Sequence, residues 1–246
     1  MSPSQKTDSP YIRLQRDLGE MISNAAPGEK LPTEPDLAKQ MGVSRSTLRE
    51  AMRSFETQGL LIRRQGAGTF VADTTHVFET GLEVLESLES IAKRIGLEIS
   101  MGKLTIEKTK SNGHFSHIFG IADDIFLLSV SRVIYAKGQP AAYLRDILLP
   151  DMLNEEELQN GFTGSVLDLL ISKGKPVLEQ SRTEIKVIPA PYEVAHALDI
   201  QRGDGLLMFE SDLVAKNGDV IVHSYSYFLS GYFRFHVVRK IGIKKK

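Results

Sequence analysis

Between Leu31 and Val71 the chain reads LPTEPDLAKQMGVSRSTLREAMRSFETQGLLIRRQGAGTFV, and the order of caps and breakers in that stretch leaves few folds open. Thr33 can cap a helix with Pro35 and Asp36 in its first turn, where a missing N–H costs little, and Gly42 closes it. Ser44 then caps a second helix in which Leu48, Ala51, Met52 and Phe55 recur at i, i+3, i+4 and i+7, with Gly59 as the stop. Two short strands, Leu60–Arg64 and Thr69–Val71, follow around a glycine-containing turn. Upstream, Leu14, Leu18, Met21, Ile22 and Ala25 lie at helical spacing over residues 11–25, ended by Pro27-Gly28. Helix, helix, helix and hairpin is the order of a winged helix-turn-helix.

The third helix carries Arg45, Arg49 and Arg53 every four residues, on a different face from its apolar stripe. A duplex major groove admits one helix, and guanine offers O6 and N7 acceptors that a guanidinium engages with two donors at once. Ser44, Ser46 and Thr47 add hydroxyls for phosphates or bases. In QGAGTF, Gly66 and Gly68 permit a backbone approach that side chains would block, which suits a wing tip. Singly, an arginine on a helix is ordinarily a solvated side chain and a glycine ordinarily a turn. The ordered set carries the inference.

Charge distribution agrees. The chain has 30 Lys and Arg against 31 Asp and Glu, so bulk electrostatics do not make it a polyanion binder. Residues 39–71 nevertheless hold six basic residues (Lys39, Arg45, Arg49, Arg53, Arg63 and Arg64) against two acidic ones, Glu50 and Glu56.

A length of 246 residues suggests two modules, and 41% hydrophobic with 25% charged residues is ordinary for a globular chain. The absence of cysteine removes disulfide scaffolds, thiolate zinc sites and cysteine nucleophiles together. No apolar run is long enough for a membrane span, and MSPSQKTDSP has no signal-peptide core, so a cytoplasmic protein is expected. Residues 1–72 are assigned to the DNA-binding domain, 73–80 (DTTHVFET) to a linker and 81–246 to a second domain. A helix beginning near Phe78 is expected from Phe78, Leu82, Leu85, Ala92 and Ile95. Beyond residue 97, strand-like runs alternate with short helices, an α+β pattern. Ile121–Tyr143 and Ile200–Ser224 resemble each other weakly, either as a duplication whose two hairpins face across a ligand cleft or as a chance likeness between hairpins.

Over roughly residues 10–72 the sequence resembles the DNA-binding domain of the GntR family of bacterial transcription regulators. The resemblance implies base reading by Arg45 and Arg49, DNA contacts from Ser44 and Thr47, and a wing with Gly66 and Gly68 entering the minor groove. Glu34, Ser46, Arg53 and Thr69 complete the candidate DNA contacts. The family usually has Ser-Glu-Arg where this chain has Thr33-Glu34-Pro35, so an arginine that commonly binds a phosphate is missing.

Residues from about 80 onward resemble the UTRA effector-binding domain of the HutC-type subfamily, which implies an α+β fold similar to chorismate lyase. The motifs are LLSVSRVIYAKGQPAAY, GSVLDLL, TEIKVIPAP and YSYFLSGYFRFHV. Candidate effector contacts are Arg132, Tyr143, Ser165, Glu184, Tyr225 and Tyr227. Arg132 interrupts the apolar row Phe126, Leu128, Val130 and Ile134, so it needs an anion, from either a protein carboxylate or a ligand. Ser165 reads as a helix cap or as part of an anion site; Glu184 as a ligand contact or as one rung of a charge ladder with Arg182 and Lys186. Tyr225 and Tyr227 share a strand face, as ligand contacts or as core.

Members that bind phosphorylated amino sugars often carry two glutamates at positions that here match Leu144 or Arg145, and Val222, which argues against such a sugar; Arg132 beside apolar and tyrosyl positions points to an anionic or more apolar effector. His114, His117, His196, His223 and His236 show no metal-ligand spacing and no GxSxG occurs, so neither metal, cofactor nor catalysis is expected. The expected partners are an inverted-repeat DNA operator, a small-molecule effector and a second copy of the chain, because one helix reads too few base pairs for selectivity. A DNA-binding architectural dimer without effector, and a chorismate-lyase-like enzyme, are the competing readings.

Overall fold

Three helices and a two-stranded wing make up the N-terminal unit of this computed structural model: α1 (Pro10–Asn24), α2 (Glu34–Met41), α3 (Arg45–Thr57), β1 (Leu61–Arg64) and β2 (Gly68–Val71). The structure describes residues 10–64, 67–72, 78–153, 155–159 and 162–239. The chain divides into two units between residues 76 and 77. Thr33 and Ser44 cap α2 and α3 as their positions require, with Ser44 Oγ accepting from the Thr47 N–H at 3.1 Å. Gly42 and Gly59 adopt φ of 67° and 73°, the left-handed turn that ends each helix. Leu14, Leu18 and Ile22 of α1 close one core with Leu37, Leu48, Met52, Phe55, Leu61 and Val71. Each such side chain contributes roughly 1.5–3 kcal/mol on burial, which holds the polar face of α3 outward.

The C-terminal unit contains β3 (Phe78–Gly81), α4 (Leu88–Ile95), β4 (Ile99–Lys110), α5 (Gly113–Phe119), β5 (Phe126–Ala136), β6 (Gln139–Leu148), α6 (Glu155–Gln159), α7 (Val166–Lys173), β7 (Leu178–Pro189), α8 (Tyr192–Ala197), β8 (Gly205–Ala215), β9 (Val220–Phe228) and β10 (Phe233–His236). Six strands form an antiparallel sheet in the order β4-β5-β6-β9-β8-β7. Each half is a strand, a short helix and a hairpin, and the halves meet where β6 pairs with β9. The two similar sequence stretches are therefore side by side in one sheet. They do not face each other across a cleft.

The expected helix from Phe78 is corrected by the structure. Phe78–Gly81 is a strand pairing in parallel with β10, and the Phe78 ring stacks on Phe233 at 4.7 Å. The helix starts only at Leu88, where the Ser87 side chain accepts from the Ser90 N–H. Leu82 and Leu85 are exposed. A partner some 150 residues away in sequence overrode local periodicity, and residues 78–80 are strand where a linker was expected. Residues 73–77 lie outside the described residues.

Register sorts the sheet's side chains into two faces, because directly paired residues share a face. One face has the rows Val130–Asp146–Ser224–Ser211–Thr183 and Arg132–Leu144–Ser226–Phe209–Ile185. The other has Ser131–Arg145–Tyr225–Glu210–Glu184 and Ser129–Ile147–His223–Asp212–Arg182.

Candidate functional site

In the N-terminal unit the N-cap geometry aims the first turn of α3 into solvent. Arg45 and Arg53 are exposed. Arg49, 61% exposed, donates from Nη2 and Nε to Glu34 Oε2 at 2.9 and 3.2 Å, while Arg63 of the wing donates to Glu34 Oε1 at 2.6 Å. One carboxylate at the start of α2 thus holds an arginine of α3 beside an arginine of the wing. Glu34, expected as a DNA contact, is a bridge between two cations. The Ser44, Ser46 and Thr47 hydroxyls form a cluster, with Ser44 Oγ 2.8 Å from both others.

At the wing, Gly68 has φ 118° and lies beside the Lys30 side chain, and the Arg64 guanidinium stands 4.9 Å over the Phe70 ring. Thr69 departs from expectation. It is 7% exposed, paired with Arg63, and its carbonyl accepts from the Leu31 N–H, so its side chain does not face a duplex. Gly66 lies outside the described residues.

The C-terminal unit holds a cavity of about 820 Å³ over the sheet face that carries Arg132 and Asp146. The starts of α4 and α7 and the segment from Thr80 to Leu88 complete its wall. Ser87 Oγ donates to Asp168 Oδ2 at 2.6 Å, tying the two helix starts together, and Ser165 Oγ caps α7 by accepting from the Asp168 N–H at 2.9 Å.

Arg132, its side chain 5% exposed, donates from Nη1 to the Asp146 carboxylate and from Nε to the Gly164 carbonyl; Asp146 Oδ1 also accepts from Ser224 Oγ at 2.5 Å. The anion that a buried arginine demands is supplied by the protein. Glu89 Oε1 is buried without a hydrogen-bond partner among the described residues, and burial pushes its carboxyl above the usual range. Gly164 adopts φ 111°, and a Cβ there would stand 2.5 Å from Glu89 Oε1, so glycine lets the carboxylate close on the α7 start.

Of the expected effector contacts, Arg132 and Ser165 line this cavity and four do not. Tyr143, Tyr225, Tyr227 and Glu184 occupy the opposite sheet face. Tyr143 donates to Glu193 Oε1 at 2.7 Å, and burial pushes its phenol up to about 12. Tyr227 packs 6.1 Å from Tyr143, and Tyr225 lies against His223 with ring centroids 4.8 Å apart. Glu184 is an exposed ladder residue paired with Lys186. Sequence reasoning missed Asp146, Ser224 and Glu89. Asp146 falls two residues after Leu144 on one strand, the only local sign that it shares Leu144's face.

Residues 10–71 match the family model described as bacterial regulatory proteins, gntR family, and residues 94–234 match the UTRA domain. The chain belongs to the GntR family.

This GntR regulator is 26% identical over 227 residues to the transcriptional repressor NagR of Bacillus subtilis, covering 92% of each chain. It is 40% identical over 207 residues to the histidine utilization repressor of Pseudomonas aeruginosa, covering 80% of this chain and 78% of the relative. Its fold resembles that of PhnF from Mycobacterium smegmatis, with a TM-score of 0.63, 18% identity and coverage of 93% of this chain and 100% of that one. It is a DNA-binding transcription regulator with a small-molecule effector domain, and its family and relatives are regulators rather than enzymes. Among the described residues no helix is long and apolar enough to cross a membrane.

Proposed function

We propose that this GntR regulator represses transcription from an inverted-repeat operator as a homodimer in the cytoplasm, with Arg45 and Arg49 reading base edges and a small metabolite in the C-terminal cavity releasing the DNA. Exposure of both guanidinium groups at the start of a capped helix supports the reading role. Two relatives that bear the name repressor support the sign of regulation.

The observation that carries the effector proposal is that Arg132 and Glu89 line one cavity, Glu89 with a buried Oε1 that has no hydrogen-bond partner among the described residues. An anion alone would meet an arginine already neutralised by Asp146 and would face Glu89. The fitting ligand is a small polar metabolite with an anionic group toward Arg132 and the α7 start and hydrogen-bond donors toward Glu89. Histidine, the metabolite in the name of the 40% identical relative, has both groups and is the first ligand to test.

The route from ligand to DNA runs through the chain that enters this unit. Thr80 and Gly81 of β3 and the segment up to Leu88 line the cavity, so occupancy bears on the residues that follow the inter-domain connection. Fluorescence anisotropy on a selected operator fragment tests this. Histidine or a related donor-bearing carboxylate is expected to weaken binding about tenfold in the parent. Glu89→Gln is expected to keep operator affinity and lose the response. A response unchanged in Glu89→Gln would remove Glu89 from the effector site.

A further inference from the structure

The face of the sheet turned away from the effector cavity contains a second constellation, assembled from residues far apart in sequence. His223 sits on β9, 3% exposed. Its Nδ1 is 2.7 Å from Asp212 Oδ1 on β8. Asp212 is held in turn by Arg182, whose Nη2 donates to Oδ2 at 2.9 Å. A carboxylate on Nδ1 selects the tautomer with the proton there and leaves a lone pair on Nε2. That Nε2 is buried and has no hydrogen-bond partner among the described residues.

Glu210 Oε1 lies 3.7 Å from Nε2, beyond hydrogen-bond length even for a protonated ring. Glu210 uses its other oxygen, Oε2, to accept from Lys186 Nζ at 2.5 Å, so Oε1 remains directed to the histidine. His114, exposed at the start of α5, completes the group. One ligand atom each from His114, Glu210 and His223 lies within 4.8 Å of the others. Asn112 Oδ1 accepts from the His114 and Phe115 N–H groups and anchors that end of α5.

We propose that His114, Glu210 and His223 bind a divalent transition metal of the zinc class. Two imidazole nitrogens and one carboxylate oxygen are the donor set such an ion takes, and three protein ligands leave a fourth position for water or an exogenous ligand. Ligand atoms around a tetrahedral zinc stand about 3.4 Å apart, given bonds of about 2.0–2.1 Å. Closure from 4.8 Å is a shift of about 1.4 Å, within reach of the exposed His114 side chain, whose Nε2 now lies 3.3 Å from Tyr225 Oη and would exchange that contact for the ion. The Asp212–His223 pair is the outer-shell carboxylate that orients a ligating histidine. Around the site Lys186 and Arg182 oppose cation entry, while Glu184 and Asp212 favour it. A bound ion would tie α5 to β8 and β9, giving the regulator a second input on the face opposite its effector.

The test uses the untagged full chain with Zn²⁺ in calorimetry and Co²⁺ in absorption spectroscopy. The expected result is one ion per chain with a tetrahedral or five-coordinate Co²⁺ spectrum. His114→Ala and Glu210→Gln should each weaken binding about tenfold or more, and Asp212→Asn by about 10–100-fold. His114 is exposed, so His114→Ala is expected to fold even if His223→Asn does not. Absence of stoichiometric binding, or affinity unchanged in His114→Ala and Glu210→Gln, would overturn the proposal.

Discussion

Two arginine–carboxylate groups, one in each unit, illustrate how the same chemistry serves opposite ends. Glu34 with Arg49 and Arg63 lies at the surface, its arginines 61% and 50% exposed. Asp146 with Arg132 is almost fully enclosed. In water an ion pair gains about 0–1 kcal/mol, so Arg49 and Arg63 can exchange Glu34 for phosphates or base edges at little cost. In the interior the same exchange leaves a desolvated charge, so Arg132 keeps its protein partner, and the ligand proposed for this cavity would have to fit around the pair. The exposed group is built to let go, the buried one to hold.

Breaking the buried group should have the largest effect. Asp146→Ala removes the only carboxylate hydrogen-bonded to Arg132 among the described residues, and a loss of about 3–5 kcal/mol is expected in denaturant unfolding. A loss below about 1 kcal/mol would mean that Arg132 is not confined as its burial implies. Breaking the exposed group should barely register in stability. Glu34→Gln is expected to cost under about 1 kcal/mol while changing operator affinity through the freed Arg49 and Arg63. Equal stability losses in the two variants would erase the distinction.

Glu89 sharpens the same contrast at the smallest scale. Its folded pKa is raised by burial, so its ionised form is disfavoured in the folded state; the associated stability is present below the unfolded pKa and is lost as pH rises through the folded one. Glu89→Gln should therefore raise Tm slightly at neutral pH, and the gain should vanish in acid below the ordinary carboxylate range. A gain that persists in acid would assign the effect to packing.

The DNA-reading unit was largely legible because its determinants are local. Thr33 and Ser44 start helices, Gly42 and Gly59 end them, and the apolar stripe of α3 follows from spacing within one turn to the next. Thr69 escaped because its inward orientation depends on pairing with Arg63 across the wing.

The effector unit was legible in class and family, and only partly in its site. Alternation grouped Tyr225 with Tyr227 on one strand face, but which face meets the cavity depends on how β9 pairs with β6 and β8. That register puts Ser224 and Ser226 over the cavity and both tyrosines behind it. Likewise, Phe78 shows helical spacing with its sequence neighbours, while its actual partner is Phe233.

The central claim is that the exposed arginines at the start of α3 read base pairs. Selection of bound duplexes from a randomised pool, with the parent, Arg45→Ala and Arg49→Ala, tests it most directly. Each variant is predicted to lose about 1–3 kcal/mol of discrimination at one position per half-site. Base preferences identical to the parent's, with affinity lowered evenly across all sequences, would show that these side chains only hold the DNA backbone and would contradict the account.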